Sequence, residues 1–306
     1  MKNKINRRSF IKTGALFGVT SIIAAPTILD AAGTPDVAVV QGTDSFASTL
    51  KAVRKIGGMK RFVKKKSKVV VLANVQRSNP GAYTHPDIVR AVIRMCREAG
   101  AAKIHFLSSL PETNWESTGL KKVLGEEEAE LIILGNEKDL YRPIAVEKGV
   151  ALKEARIMRA FYDYDVFINM PITKDHAGNK FTGSLKNLMG INWPMNNRTF
   201  HKPNWATDPD AIQYLDQCIA DLNTVIRPDL CIVDATEIII TNGPFGPGEI
   251  LTPRKVIAGT DRVAMDAYCC TLWGLDPKQI HTIVLAHKHG IGEIDPKKVN
   301  IKEFKA

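Results

Sequence analysis

The chain has 306 residues, 44% hydrophobic and 24% charged, with a formal net charge of +10. These are ordinary globular proportions, and they exclude wholesale disorder and collagen-like or fibrous classes. No apolar run reaches the eighteen or so residues that a bilayer-spanning helix needs. Cys96, Cys218, Cys231, Cys269 and Cys270 are odd in number and scattered, without a C-x-x-C spacing. They argue against a disulfide scaffold and against a self-contained iron–sulfur cluster.

The first segment reads as an address. Asn6-Arg7-Arg8-Ser9-Phe10-Ile11-Lys12 precedes a weakly apolar stretch over 15–25. The arginine pair Arg7 and Arg8, the aromatic residue two positions on, the lysine and the modest apolar region resemble a twin-arginine export signal. The expectation is a signal over 1–31, the twin-arginine export machinery as partner, and a periplasmic or otherwise exported protein. Residues 1–31 hold five basic residues and one acidic, so 32–306 carry +6. Much of that charge sits in Lys60, Arg61, Lys64, Lys65, Lys66 and Lys68. Such a run can meet an anionic partner, a membrane surface or nucleic acid. Nucleic acid is not expected, because the lysines lack the interleaved aromatic residues of a stacking platform. A solvated helix end is the preferred reading.

Beyond this run, short apolar segments alternate with helical periodicity. Residues 69–75 (VVVLANV) read as a buried strand, 87–99 as an amphipathic helix stopped by Gly100, and 103–108 (KIHFLS) as a second strand. This βαβ pattern implies a parallel sheet with right-handed crossovers. Further strands are expected at 130–134 and 165–169, with a helix around 152–162 between them. A helix near 210–225 leads to a strand at 230–235. Another strand follows at 254–258, and helices at 261–273 and 277–288 close the chain. The fold class expected is α/β: a three-layer domain over 32–306 with a largely parallel central sheet and a long inserted site loop at 171–208.

That loop is too long for an idle connector. It follows a strand's carboxyl end, where open α/β sheets bind ligands, and it opens with Lys174-Asp175-His176. Thr182-Gly183-Ser184-Leu185-Lys186-Asn187-Leu188-Met189-Gly190 reads as a short capped helix. Its N-terminal amides, together with Lys186, would favour a carboxylate or phosphate. His201 follows. His176 and His201 are candidate acid/base groups, and candidate ligands should a metal ion bind. Lys174, Lys186, Asn187, Thr182 and Gly183 are candidates for holding a small anionic ligand, and His176 and Lys186 are expected to be neighbours. Asp234, with Asn242 and Gly243 in the glycine-rich loop behind its strand, would orient the ligand or complete the site. His287 and His289 point to different helix faces, so a helix C-terminus is preferred to a metal site there. Walker, H-E-x-x-H, G-x-S-x-G and G-x-G-x-x-G patterns are absent where they would matter.

The order of motifs resembles a known family. Asn169, Lys174-x-His176, Thr182-Gly183-x-Leu185-Lys186-Asn187-x-x-Gly190, His201 and Pro228-x-Leu230-x-Ile232-x-Asp234 occur in sequence. Asn242-Gly243-Pro244, Asp261-x-Val263-Ala264-x-Asp266 and Gly290-x-Gly292 follow. Together they are similar to the domain of unknown function 362 family over about 69–292. The resemblance implies a single α/β domain, in a family often exported by the twin-arginine route and sometimes fused to a ferredoxin-like segment, which this chain lacks. It names no reaction. The function expected is an exported enzyme or cofactor-dependent protein acting on a small anionic ligand. The alternative is a non-catalytic binding or accessory protein for a redox or metal-enzyme system.

Overall fold

The computed structural model describes residues 34–306. Arg7 and Arg8 of the export signal read from the sequence lie outside the described residues. Strands β1 (Val37–Gln41), β2 (Lys68–Ala73), β3 (Lys103–Ser108), β4 (Glu130–Ile133), β7 (Val166–Met170), β8 (Leu230–Ala235), β11 (Lys255–Gly259) and β12 (Ile301–Lys305) form one sheet in the order β12-β1-β11-β8-β7-β2-β3-β4. Only β11 runs against the others. Two small pairs lie outside it: β5 (Tyr141–Ala145) with β6 (Glu154–Met158), and β9 (Ile238–Ile239) with β10 (Ile250–Leu251).

Alternation along the buried strands makes the three layers. Val69 and Val71 face one side with Ala38, Val40 and Ile168, under helices α1 (Ser45–Lys55), α2 (Pro86–Glu98), α3 (Glu112–Ser117) and α4 (Leu120–Glu126). Val70 and Leu72 face the other with Val39, Phe167 and Val233. There they meet α5 (Ser184–Asn187), α7 (Pro209–Leu222), α8 (Arg262–Thr271) and α9 (His281–Lys288); α6 (Pro194–Phe200) lies between α5 and α7 in the chain. Period-2 burial on both faces is what a sheet covered on both sides requires. All five cysteines are buried and free, and behave as small apolar side chains.

The chain runs outward from β2 through β3 and β4, then re-enters on the other side of β2 with β7 and β8. The sheet therefore has its switch point between β2 and β7, with the loops after both strands at the same carboxyl edge.

One expected element is corrected. The stretch 152–162 is not a helix: Glu154–Met158 is β6, paired antiparallel with β5, and Arg159–Asp163 is a 3-10 turn. Its apolar residues satisfy both periods, but Ala155 and Ile157 are buried on alternate positions while Arg156 between them is half-buried. Pairing with Tyr141–Ala145, for which no strand was expected, decides the period.

Candidate functional site around Lys174, His176, Lys186 and His201

Beyond β7 the chain stays extended. Ile172 bridges to Asp234, and Lys174 and Thr182 exchange both backbone hydrogen bonds, at 3.1 and 2.8 Å. Residues opposed in this way show their side chains on one face, so the Thr182 hydroxyl lies on the side of Lys174. Lys174 is fully buried. Its Nζ donates to the Ala82 carbonyl at 2.6 Å and to Asn74 Oδ1 at 3.2 Å, both in the loop after β2, so the side chain crosses the switch point. Gly81 lets that loop close on β9: its φ is +70°, and a Cβ there would come within 2.6 Å of the Ile239 nitrogen.

Asn74 passes the connection on. Its Nδ2 donates to Asn187 Oδ1 (3.1 Å), Asn187 Nδ2 to Asn169 Oδ1 (2.8 Å), and Asn169 Nδ2 to the Ser184 carbonyl (2.9 Å). Each amide accepts at one end and donates at the other, which fixes all three orientations. No carboxylate neutralises Lys174 among the described ion pairs. Loss of water, followed by repulsion from Lys186, lowers its pKa to about 7.

A second chain of bonds holds the histidines. His176 is 2% exposed, and its Nδ1 accepts from the Asn179 N–H at 3.3 Å. The proton of the neutral ring is therefore on Nε2. Asn179 Oδ1 accepts from Lys186 Nζ at 3.1 Å, while its Nδ2 donates to Asp216, which also accepts from the Thr282 hydroxyl. His201 takes the opposite tautomer: its Nδ1–H donates to the Asn197 carbonyl at 2.8 Å, leaving Nε2 a bare acceptor. Both rings pack on Trp205, His176 tilted at a centroid distance of 5.1 Å and His201 edge-on at 5.0 Å.

Burial governs the charges here. It pushes His176 far below the usual histidine range, and Lys186, His201 and Lys174 push it further. Burial, then Lys186, lowers His201 to about 4 against the bond it donates to the Asn197 carbonyl. Lys186 keeps some accessibility, yet the protein packed about it lowers it to about 8, with Asp216 opposing. At neutral pH the site therefore holds two neutral imidazoles and two weakened cations.

The short helix does not work as the sequence suggests. Its first free amides, Ser184 N–H and Leu185 N–H, donate to the two carboxylate oxygens of Asp266 at 2.7 and 3.0 Å. The anion expected from outside is thus supplied by α8. Gly183 is where the carboxylate passes: a Cβ would overlap it and stand 2.6 Å from the Phe181 ring. Burial outweighs the two amide bonds and raises Asp266 to about 7. Neither Thr182 nor Ser184 caps the helix, and the Thr182 hydroxyl is buried without a hydrogen-bond partner.

Three further candidates are committed to the protein. Asp234 accepts from the His85 N–H and from both the N–H and hydroxyl of Thr236, anchoring the start of α2 and the turn after β8. Gly243 N–H donates to Asp175 Oδ2 at 2.8 Å, and Asn242 is exposed with its Nδ2 on the Pro247 carbonyl. Both residues hold the glycine-rich loop, and the Gly243 carbonyl accepts from the Ala177 N–H at 3.2 Å, which ties the loop to the residues on either side of His176. His176 and His201 are two donors only: among the described residues no group of three or more His, Cys, Asp or Glu side chains converges as a metal site needs. His287 and His289 instead close the end of α9, on the Gly292 carbonyl and Asp221 respectively.

Asn74, Asn179, Trp205 and Asp216 belong to the site and were not singled out from the sequence. Asn74 had a signal, since it lies at the carboxyl end of the first expected strand. Asn179 and Trp205 are placed by loop closure, and Asp216 by the packing of α7 against that loop and α9.

A family model described as Domain of unknown function (DUF362) matches residues 69–271. The chain belongs to this family. The matched DUF362 region contains Lys174, His176, Lys186 and His201, while Thr282, which supports Asp216, lies beyond it. Thylakoid-associated protein sll1697 of Synechocystis is 28% identical over 259 residues, covering 80% of this chain and 75% of that protein. Among solved structures, the lactate racemase apoprotein of Thermoanaerobacterium thermosaccharolyticum matches 75% of this chain and 55% of its own, at 10% identity and a TM-score of 0.47. A Thermotoga maritima protein matches 63% and 51%, at 16% identity and a TM-score of 0.39. This DUF362 chain spans about half the length of both solved structures, and neither likeness carries residues or chemistry across.

Proposed function

We propose that this protein is an exported enzyme that binds a small anionic substrate beside Lys174 and Lys186 and moves a proton on it through His176 and His201. One observation supports this above the rest. Two lysines of lowered basicity, neither ion-paired with a carboxylate among the described residues, stand by two neutral imidazoles of opposite tautomer. Such a grouping of perturbed titratable side chains at a sheet switch point is a candidate active centre. A carboxylate or phosphate arriving there supplies the missing charge and raises the pKa of both lysines, so binding takes up protons between about pH 7 and 8. One imidazole presents N–H and the other a lone pair, the pair of roles that acid/base catalysis divides between two groups. The unpartnered Thr182 hydroxyl offers a further hydrogen bond to the same ligand.

Calorimetric titration of small carboxylates and of inorganic phosphate, at pH 7.5 in buffers of different ionisation enthalpy, tests the reading. Net proton uptake is expected, with affinity at least about tenfold weaker in Lys186→Met, the loss typical of one charge-assisted contact. Binding without proton uptake would overturn it. The depressed basicity of His176 favours a second reading, a binding protein that performs no chemistry. Deuterium incorporation from heavy water into carbon-bound positions of a bound ligand, lost in His201→Gln, distinguishes the enzyme from the binder. Export rests on the Asn6–Lys12 pattern. Replacing Arg7 and Arg8 by lysine should retain the protein in the cytoplasm, and unchanged fractionation would disprove the address.

A further inference from the structure

The opposite end of the sheet carries a different kind of lysine. Residues 54–68 contain eight basic side chains and no acidic one: Arg54, Lys55, Lys60, Arg61, Lys64, Lys65, Lys66 and Lys68. Residues 32–306 carry +6 and this strip +8, so everything else in that range sums to −2. The positive excess of residues 32–306 thus lies in one short stretch.

The fold gathers the strip on one end. Arg54 and Lys55 finish α1, residues 59–61 form a 3-10 turn, and Lys68 begins β2. Lys66 N–H bonds to the Gly100 carbonyl at 2.7 Å, and Ala102 N–H to the Ser67 carbonyl at 2.8 Å, which sets exposed Lys103 at the start of β3 beside it. All of the strip's basic residues except half-buried Arg61 are exposed. Among the described residues none of the eight forms an ion pair, whereas Arg90, Arg94, Arg97, Lys121, Arg156 and Lys255 all do. Asp165 meets the strip at the Lys68 backbone N–H. Phe62 lies half-buried under the Arg61 guanidinium, 5.5 Å from its ring centre, and is not free to stack on a base.

We propose that this amino-terminal end of the sheet docks on an anionic lipid bilayer. Unpaired lysines on one surface suit a plane of negative headgroups, each adding attraction within a Debye length. The chain direction agrees. β1 runs parallel to β2 through the sheet, so Val37 starts at this same end, and the preceding segment, with its five basic residues and apolar 15–25 stretch, joins the described part there. Docking by this end leaves the carboxyl edge, with Lys174 and His176, turned to water.

Sedimentation of the full chain with vesicles tests the proposal. Binding is expected to vesicles of phosphatidylcholine with about 30% phosphatidylglycerol, to fall at about 0.5 M salt, and to be weak on phosphatidylcholine alone. Joint replacement Lys60→Gln, Lys64→Gln, Lys65→Gln and Lys68→Gln should lower partitioning on the order of a thousandfold. Residues 1–33 are present in both proteins, so the difference reads the face alone. Arginine at the same four positions keeps the charge and should bind as the wild type does, which separates electrostatics from a folding defect. Equal binding to neutral vesicles, or undiminished binding of the glutamine variant, would overturn the proposal. Displacement from vesicles by a lower concentration of double-stranded DNA phosphate than of lipid phosphate would also do so, in favour of nucleic acid.

Discussion

Lysines at the two ends of the sheet are held by opposite means. At the carboxyl edge Lys174 is buried on a backbone carbonyl and an amide oxygen, with basicity lowered to about 7. At the amino edge Lys60, Lys64, Lys65, Lys66 and Lys68 are exposed and, among the described residues, lack carboxylate partners. Water solvates the second group at little cost. The first gives up its hydration, which an amine tolerates by releasing its proton, and it regains hydrogen bonds only through a fixed network. Unpaired charge is therefore informative in a buried place through chemistry, and on a surface through the partner it waits for.

The comparison breaks first at the cap. Asp266→Ala strands two buried N–H groups where α5 presents Lys186, and should cost about 4 kcal/mol by denaturant titration. Asp266→Asn keeps an acceptor and should cost less. Equal losses would mean that the space, not the oxygens, is what α5 needs.

Lys174→Met comes next, and its effect depends on pH. Folded Lys174 releases its proton near pH 7, whereas the unfolded chain keeps it to about 10.5. Between those values the unfolded state binds more protons, so wild-type stability rises with pH. The methionine variant lacks that slope. Its stability relative to wild type should be highest at and below pH 7 and decline by about 3 kcal/mol toward pH 10. A pH-independent difference in melting temperature would show that Lys174 stays charged when buried.

A smaller effect is expected from His201→Gln. Folded His201 resists protonation down to about pH 4, whereas the unfolded residue takes its proton near 6.5. Wild-type stability is therefore lost as pH falls from 6.5 toward 4, and the glutamine variant should be spared about 1–2 kcal/mol of that loss. Least of all, Lys64→Gln should leave stability within about 0.5 kcal/mol at any pH, as exposed substitutions do. A larger shift would mean that the exposed bond from Lys64 Nζ to the Lys60 carbonyl, 2.6 Å, contributes more than water-screened contacts do.

What could be read from the sequence follows from how local each signal is. β2, α2, β3 and β8 have strong periods and clear stops, and their expected ranges match the observed ones within two residues. The rule about strand ends places Lys174 and His176, whereas Lys186 joins them as part of an anion-binding helix start whose amides are in fact taken by Asp266. Asp266 could not be assigned in this way. It lies 82 residues from the amide it caps, and from the sequence it only brackets a helix start with Asp261. The 152–162 segment failed because its period is decided by a partner strand, not by its own residues.

The first strand depends on the last. β1 lies between β11 and β12, so Val37 is paired with both Gly259 and Ile301, and Ala306 N–H reaches back to the Gln41 carbonyl. As the chain emerges from a ribosome, its first strand has no neighbour until more than two hundred residues have followed it. The half of the sheet containing β1 must therefore assemble late, with long-range pairing as its slow step. A stalled or clipped product ending before 255 would keep an unpaired Val37–Gln41 strand, a sticky edge well suited to recognition by a chaperone or protease.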